Sequence, residues 1–125
     1  MHNLRHITVM IVDDNPHMRS LIRSMLKQMH IVDVYEAGNA IKAYDLFLQY
    51  TIDVVLCDIK LEEESGLDLV SKIRNSKDSR DPYCPIIVIT GHDDAANLVA
   101  ARDCGSHEFM VKPVTAKALQ NRLIA

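Results

Sequence analysis

Five polar residues stand where the apolar runs of this chain stop. Asp13 and Asp14 follow "ITVMIV" (7–12), Asp58 ends "DVVLCD" (53–58), Thr90 ends "PIIVIT" (85–90), and Lys112, with Pro113 behind it, follows "EFMV" (108–111). Brought together, the three carboxylates repel one another, and a divalent cation would make their crowding favourable. A hard, all-oxygen donor set suits Mg²⁺ or Mn²⁺. With a cation in place, one carboxylate can act as a nucleophile on phosphorus, while the Lys112 ammonium and the Thr90 hydroxyl stabilise charge on the transferred oxygens. The chemistry suggested is phosphoryl transfer to an aspartate.

That chemistry requires one pocket, and the elements around these residues can provide it. The apolar runs, with "IVDVYEA" (31–37) among them, are rich in Val and Ile, and most are continuous rather than alternating, as strands buried on both faces are. Between the runs the spacing turns helical. Met18, Leu21, Ile22, Met25, Leu26 and Met29 repeat at three and four residues, with Asn15 as N-cap and Pro16 at the first helical position. A second helix is predicted over about 39–50, with Ala40, Ala43, Tyr44, Phe47 and Leu48 facing inward; a third follows Gly66 and carries Leu67, Leu69, Val70 and Ile73. A fourth starts near Asp93 and ends before Gly105, and a fifth runs from Thr115 to the end of the chain. Strand then helix, five times over, calls for an α/β fold with a parallel sheet covered on both faces, a doubly wound (βα)5 arrangement. In such a sheet all the strands' carboxyl ends share one edge, where ligands bind, so Asp13, Asp14, Asp58, Thr90 and Lys112 are expected to converge.

A length of 125 residues with 48% hydrophobic content is enough for one core, which predicts a single domain over 1–125. With 14 basic and 17 acidic residues the net charge is −3, giving no electrostatic reason for direct nucleic-acid binding. Cys57, Cys84 and Cys104 are odd in number and lack C-x-x-C spacing, which argues against a disulfide framework or a zinc site. The apolar stretch near the N-terminus is too short to span a bilayer and runs into acid rather than a cleavage site. A reducing cytoplasm, away from any membrane, is the expected setting.

Taken together, "VDD" (12–14), "CD" (57–58) with Gly66 eight residues on, "TG" (90–91) and "KP" (112–113) resemble the receiver domain of two-component response regulators, over essentially the whole chain. The resemblance implies a five-stranded sheet of flavodoxin-like order 2-1-3-4-5. It implies Asp58 as phosphoacceptor, with Mg²⁺ held by Asp13, Asp14 and Asp58 and by the backbone carbonyl of Lys60. Thr90 and Lys112 would contact the phosphoryl group, the Lys112–Pro113 bond would be cis, and Phe109 would occupy the family's switch position. It also implies a signalling domain that assists its own phosphorylation and dephosphorylation rather than an enzyme proper. A histidine kinase or phosphotransfer protein would supply the phosphoryl group, and the altered surface would act on an effector domain or downstream protein that the sequence does not name. The sequence leaves open whether the chain acts alone or within a longer protein. Two departures bear on rates and switching: "KLEEESG" (60–66) lacks the family's common Met-Pro after the phosphoacceptor, and Gly91 replaces a common alanine.

Singly, each residue has a simpler explanation. Asp14 and Asn15 suit a helix cap, Asp58 a solvated strand end, Thr90 a turn, Lys112 with Pro113 a strand terminator, and Phe109 the core. Coincidence on one edge favours a site. Arg19, Arg23 and Lys27 form a basic row with no acid at matching spacing on their helix, which reads as a solvated face or else as a docking surface for an acidic partner. A phosphatase of the haloacid dehalogenase type would need a second aspartate two residues after a nucleophile at Asp13, where Asn15 stands. A flavodoxin-like electron carrier would need a Ser/Thr-rich phosphate loop, where "DDNPHM" places two negative charges.

Overall fold

A computed structural model describes residues 6–61, 64–91, 103 and 108–124. Five strands form one parallel sheet: β1 (Thr8–Val12), β2 (Asp33–Ala37), β3 (Val54–Asp58), β4 (Ile86–Thr90) and β5 (Glu108–Val111), in the order β2-β1-β3-β4-β5. The described helices are α1 (Pro16–Gln28), α2 (Ala40–Gln49), α3 (Gly66–Asn75) and α4 (Ala116–Ile124). The helix expected from Asp93 to before Gly105 falls outside the described residues. Among those described, no helix is long and apolar enough to cross a membrane.

Strand residues alternate between two faces, and each face has its own core. Met10, Val12, Val55, Cys57 and Val88 pack with Phe47 of α2 and with Leu69 and Ile73 of α3. Val9, Ile11, Leu56, Ile87 and Ile89 pack with Ile22 and Leu26 of α1 and Leu119 of α4. Burial on both sides explains the continuous apolar runs of β1, β3 and β4. The two edge strands depart from that pattern. β2 begins with an exposed Asp33 and has only Ala37 fully buried, while in β5 Met110 is buried between exposed Phe109 and Val111. Leu21, expected on the inner stripe of α1, is instead exposed.

Local sequence sets the helix ends. Asn15 caps α1, its side chain accepting from the amides of His17 and Met18, with Pro16 at the first position. Asn39 caps α2 through the Lys42 amide, and Ser65 caps α3 through the Leu67 amide. α1 ends in a Schellman motif: the His30 amide donates to the Lys27 carbonyl at 3.0 Å and the Ile31 amide to that of Leu26 at 2.9 Å. This turn puts His30 at a φ of 66°, in the left-handed region that favours glycine.

Candidate functional site

Because β1, β3, β4 and β5 are consecutive neighbours and all parallel, their carboxyl ends line up along one edge of the sheet. Asp13, 2% exposed, and the half-buried Asp14 follow β1; Asp58, 4% exposed, ends β3; Thr90, fully buried, ends β4; Lys112 follows β5. One carboxylate oxygen from each of Asp13, Asp14 and Asp58 lies within 4.8 Å of the others. The Lys112 ammonium donates to Asp58 Oδ2 at 2.8 Å, and the Lys60 amide donates to Asp58 Oδ1 at 3.0 Å. The Lys112 amide donates to the Thr90 carbonyl at 2.7 Å, which ties the lysine's backbone to the end of β4. The structure therefore brings the predicted aspartates and lysine together and sets Thr90 on the same edge. Lys60 joins through its amide, and it also pairs with Ser65 in an isolated antiparallel bridge.

The tight turn after β3 depends on Gly66. A Cβ at this position would stand 2.1 Å from the Asp58 carbonyl oxygen and 2.8 Å from Cys57 Sγ. No side chain fits there. The Gly66 amide donates to the Ile59 carbonyl at 2.7 Å, folding the loop back over the strand end. Cys57 points to the opposite face from Asp58, as its place in the strand requires, and burial pushes its thiol well above the ordinary range.

Electrostatics at this edge record the crowding. Burial raises the Asp13 carboxyl to about 6; the charges of Asp58 and Asp14 push the same way, while the Asn15 amide, donating to Asp13 Oδ1 at 2.8 Å, and the Lys112 ammonium oppose them. A carboxyl group whose folded pKa exceeds its ordinary value of 3.8 costs stability as pH rises from that value through about 6. Burial works against the charge of Lys112, but its hydrogen bond to Asp58 and the charges of Asp58, Asp13 and Asp14 outweigh this and raise its pKa. The lysine thus stays an ammonium at neutral pH. Among the described residues three carboxylates face the Lys112 ammonium at this edge, and the all-oxygen donors fit a hard divalent cation.

Other expectations are placed less centrally. The Lys112–Pro113 bond is cis. Phe109 is 44% exposed, so it is not core in this structure. In the basic row of α1, Arg23 and Lys27 are exposed, but both arginines have an acidic partner. Arg19 Nε and Arg23 Nε donate to opposite oxygens of Glu36 on β2, at 3.1 and 2.7 Å, and Arg19 Nη1 donates to the Asp13 carbonyl at 2.6 Å. Their acid lies on the adjacent strand, which helix spacing cannot reveal; Glu36, a charge near the end of an otherwise apolar run, was the available signal. Glu64, from the run of glutamates after Asp58, accepts from the Ala40 amide at 2.7 Å and so ties the β3–α3 loop to the start of α2. Nothing in the sequence pattern announced that link.

Comparisons with known proteins identify the family and the fold. The family model of the response regulator receiver domain matches residues 9–124. The chain is 34% identical over 116 residues to the chemotaxis protein CheY1 of Helicobacter pylori, with 92% of each chain covered. It is 33% identical over 116 residues to a chemotaxis protein CheY homolog of Campylobacter jejuni, covering 92% of this chain and 88% of that one. Its fold matches that of Vibrio cholerae chemotaxis protein CheY4 with a TM-score of 0.84 at 20% identity, over 94% of this chain and 96% of the other.

Proposed function

The chain belongs to the response regulator receiver domains, the phosphoacceptor modules of two-component signalling, and from that premise we propose that Asp58 is the residue that takes the phosphoryl group. The observation that carries this reading is the setting of its carboxylate. Asp58 Oδ2 accepts from the Lys112 ammonium at 2.8 Å, and the carboxylates of Asp13 and Asp14 stand within 4.8 Å at the open edge of the sheet.

In the proposed reaction a phosphohistidine of a histidine kinase or phosphotransfer protein is the donor. The nitrogen–phosphorus bond breaks as an Asp58 oxygen bonds to phosphorus, and the donor imidazole leaves with the electron pair. Lys112 follows the charge onto the transferred oxygens, and the Thr90 hydroxyl is assigned to the same task. Asp13, Asp14 and Asp58, with the Lys60 carbonyl, are assigned to hold Mg²⁺ or Mn²⁺, which when bound neutralises charge on the phosphoryl oxygens. The acidic cluster and the raised Asp13 carboxyl support that assignment. The phosphoryl group adds negative charge and strong acceptors at the edge, and Phe109, exposed on β5, is assigned to pass the change to the outer face. The reading extends to residues 1–125 as one such domain in the cytoplasm, with a protein rather than a nucleic acid as its direct partner.

The test is mass spectrometry after incubation with a small acyl phosphate and Mg²⁺. One phosphoryl group should be gained by the wild type, and none by Asp58→Asn or in the presence of a chelator. Labelling that persists in Asp58→Asn would reassign the nucleophile.

A further inference from the structure

β1's pairing with β3 ends at Val12, and the last bond from this strand end to β2 is from the Asp13 amide to the Ala37 carbonyl, at 3.1 Å. The Asp13 carbonyl has by then left the ladder, yet it lies in the peptide joining the two adjacent carboxylates. It accepts from Arg19 Nη1 at 2.6 Å, a charge-assisted bond from the second turn of α1. The guanidinium lies against Gly38, where a Cβ would meet Nη1 at 3.4 Å. Its Nε is held by Glu36 Oε1, whose other oxygen is held by Arg23; Arg23 Nη2 in turn donates to the Val34 carbonyl at 3.1 Å.

We propose that Arg19 is a positioning residue for the cation site: it fixes the Asp13–Asp14 peptide plane, and so the angle between two of the three carboxylates, while Glu36 keeps the guanidinium on the peptide oxygen. This rests on the reading that Asp13, Asp14 and Asp58 hold a divalent cation. Anchoring α1 to β2 does not account for the arrangement. The Arg23–Glu36 pair already joins those elements, and a partly exposed ion pair adds little stability. Arg19 adds a contact to the one carbonyl between the carboxylates. Mg²⁺ demands near-ideal octahedral geometry, so a small rotation of that peptide weakens its binding. Released from Glu36, the guanidinium would also be free to turn toward the carboxylates and compete with the cation.

Isothermal calorimetry with Mg²⁺ on the wild type, Arg19→Met, Arg19→Lys and Glu36→Gln, with Tm measured in chelator on the same proteins, tests this. Arg19→Met should weaken Mg²⁺ binding about tenfold and Glu36→Gln severalfold, with Arg19→Lys recovering part of the loss because its ammonium can still donate to the Asp13 carbonyl but lacks the fork that also holds Glu36. The losses should exceed anything that the chelator Tm values explain. If Arg19→Met and Glu36→Gln bind Mg²⁺ within twofold of the wild type, or if affinity simply tracks Tm across the series, the positioning role is overturned. A wild type that binds no Mg²⁺ overturns the cation reading itself, and the role of Arg19 with it.

Discussion

At the scale of single residues, the site depends on what is missing at position 66 as much as on what is present at 58. Gly66→Ala would place a methyl group 2.1 Å from the Asp58 carbonyl oxygen, and main chain cannot yield there without moving the end of β3. The variant is expected to lose about 2–4 kcal/mol of stability, the range of severe overpacking, and to phosphorylate more slowly under conditions where it remains folded. Urea unfolding and labelling with a small acyl phosphate measure the two effects, and a stable, fully active variant would refute the close approach. The residues converging on this edge were legible in the sequence because each ends an apolar run, and parallel topology turns strand ends into neighbours. Arg19 was not legible. Its partners, Glu36 and the Asp13 carbonyl, come from another strand and from the main chain, and neither leaves a mark at helical spacing.

All five strands were legible as short apolar runs, the edge strands included. β1, β3 and β4 are buried along almost their whole length, whereas β2 is mostly half-buried and β5 alternates. α1 was legible through Asn15 and Pro16 at its start, but its end was hidden, because the residue that adopts the left-handed conformation there is a histidine rather than the glycine that marks such a turn. His30→Gly should therefore stabilise the protein by about 0.5–1 kcal/mol, by removing the cost of a side chain at a φ of 66°. The gain is partly offset by the freer unfolded chain. Chemical denaturation would detect it as a higher midpoint at unchanged slope, and a lower midpoint would mean that the imidazole contributes more than its backbone conformation costs.

For the molecule as a whole, the acidic edge is a local cost that a ligand can offset. A cation that binds only the folded state adds stability in proportion to the logarithm of its concentration, about 2.7 kcal/mol at a hundred times Kd. For a domain of 125 residues that is a Tm rise of roughly 10 °C. Calorimetry with Mg²⁺ and then excess chelator should show the rise and its reversal, and Asp14→Ala should respond far less. Equal responses in the two proteins would remove Asp14 from the site.

The ion pair between Asp58 and Lys112 spans 54 residues of chain. A ribosome adds residues at about 5–20 per second, so roughly 3–11 s separate the emergence of the aspartate from that of its lysine. Throughout that interval all three carboxylates have been made, and the ammonium that will face Asp58 has not. The chain's own ammonium at this edge is therefore added only after the fifth strand has been made.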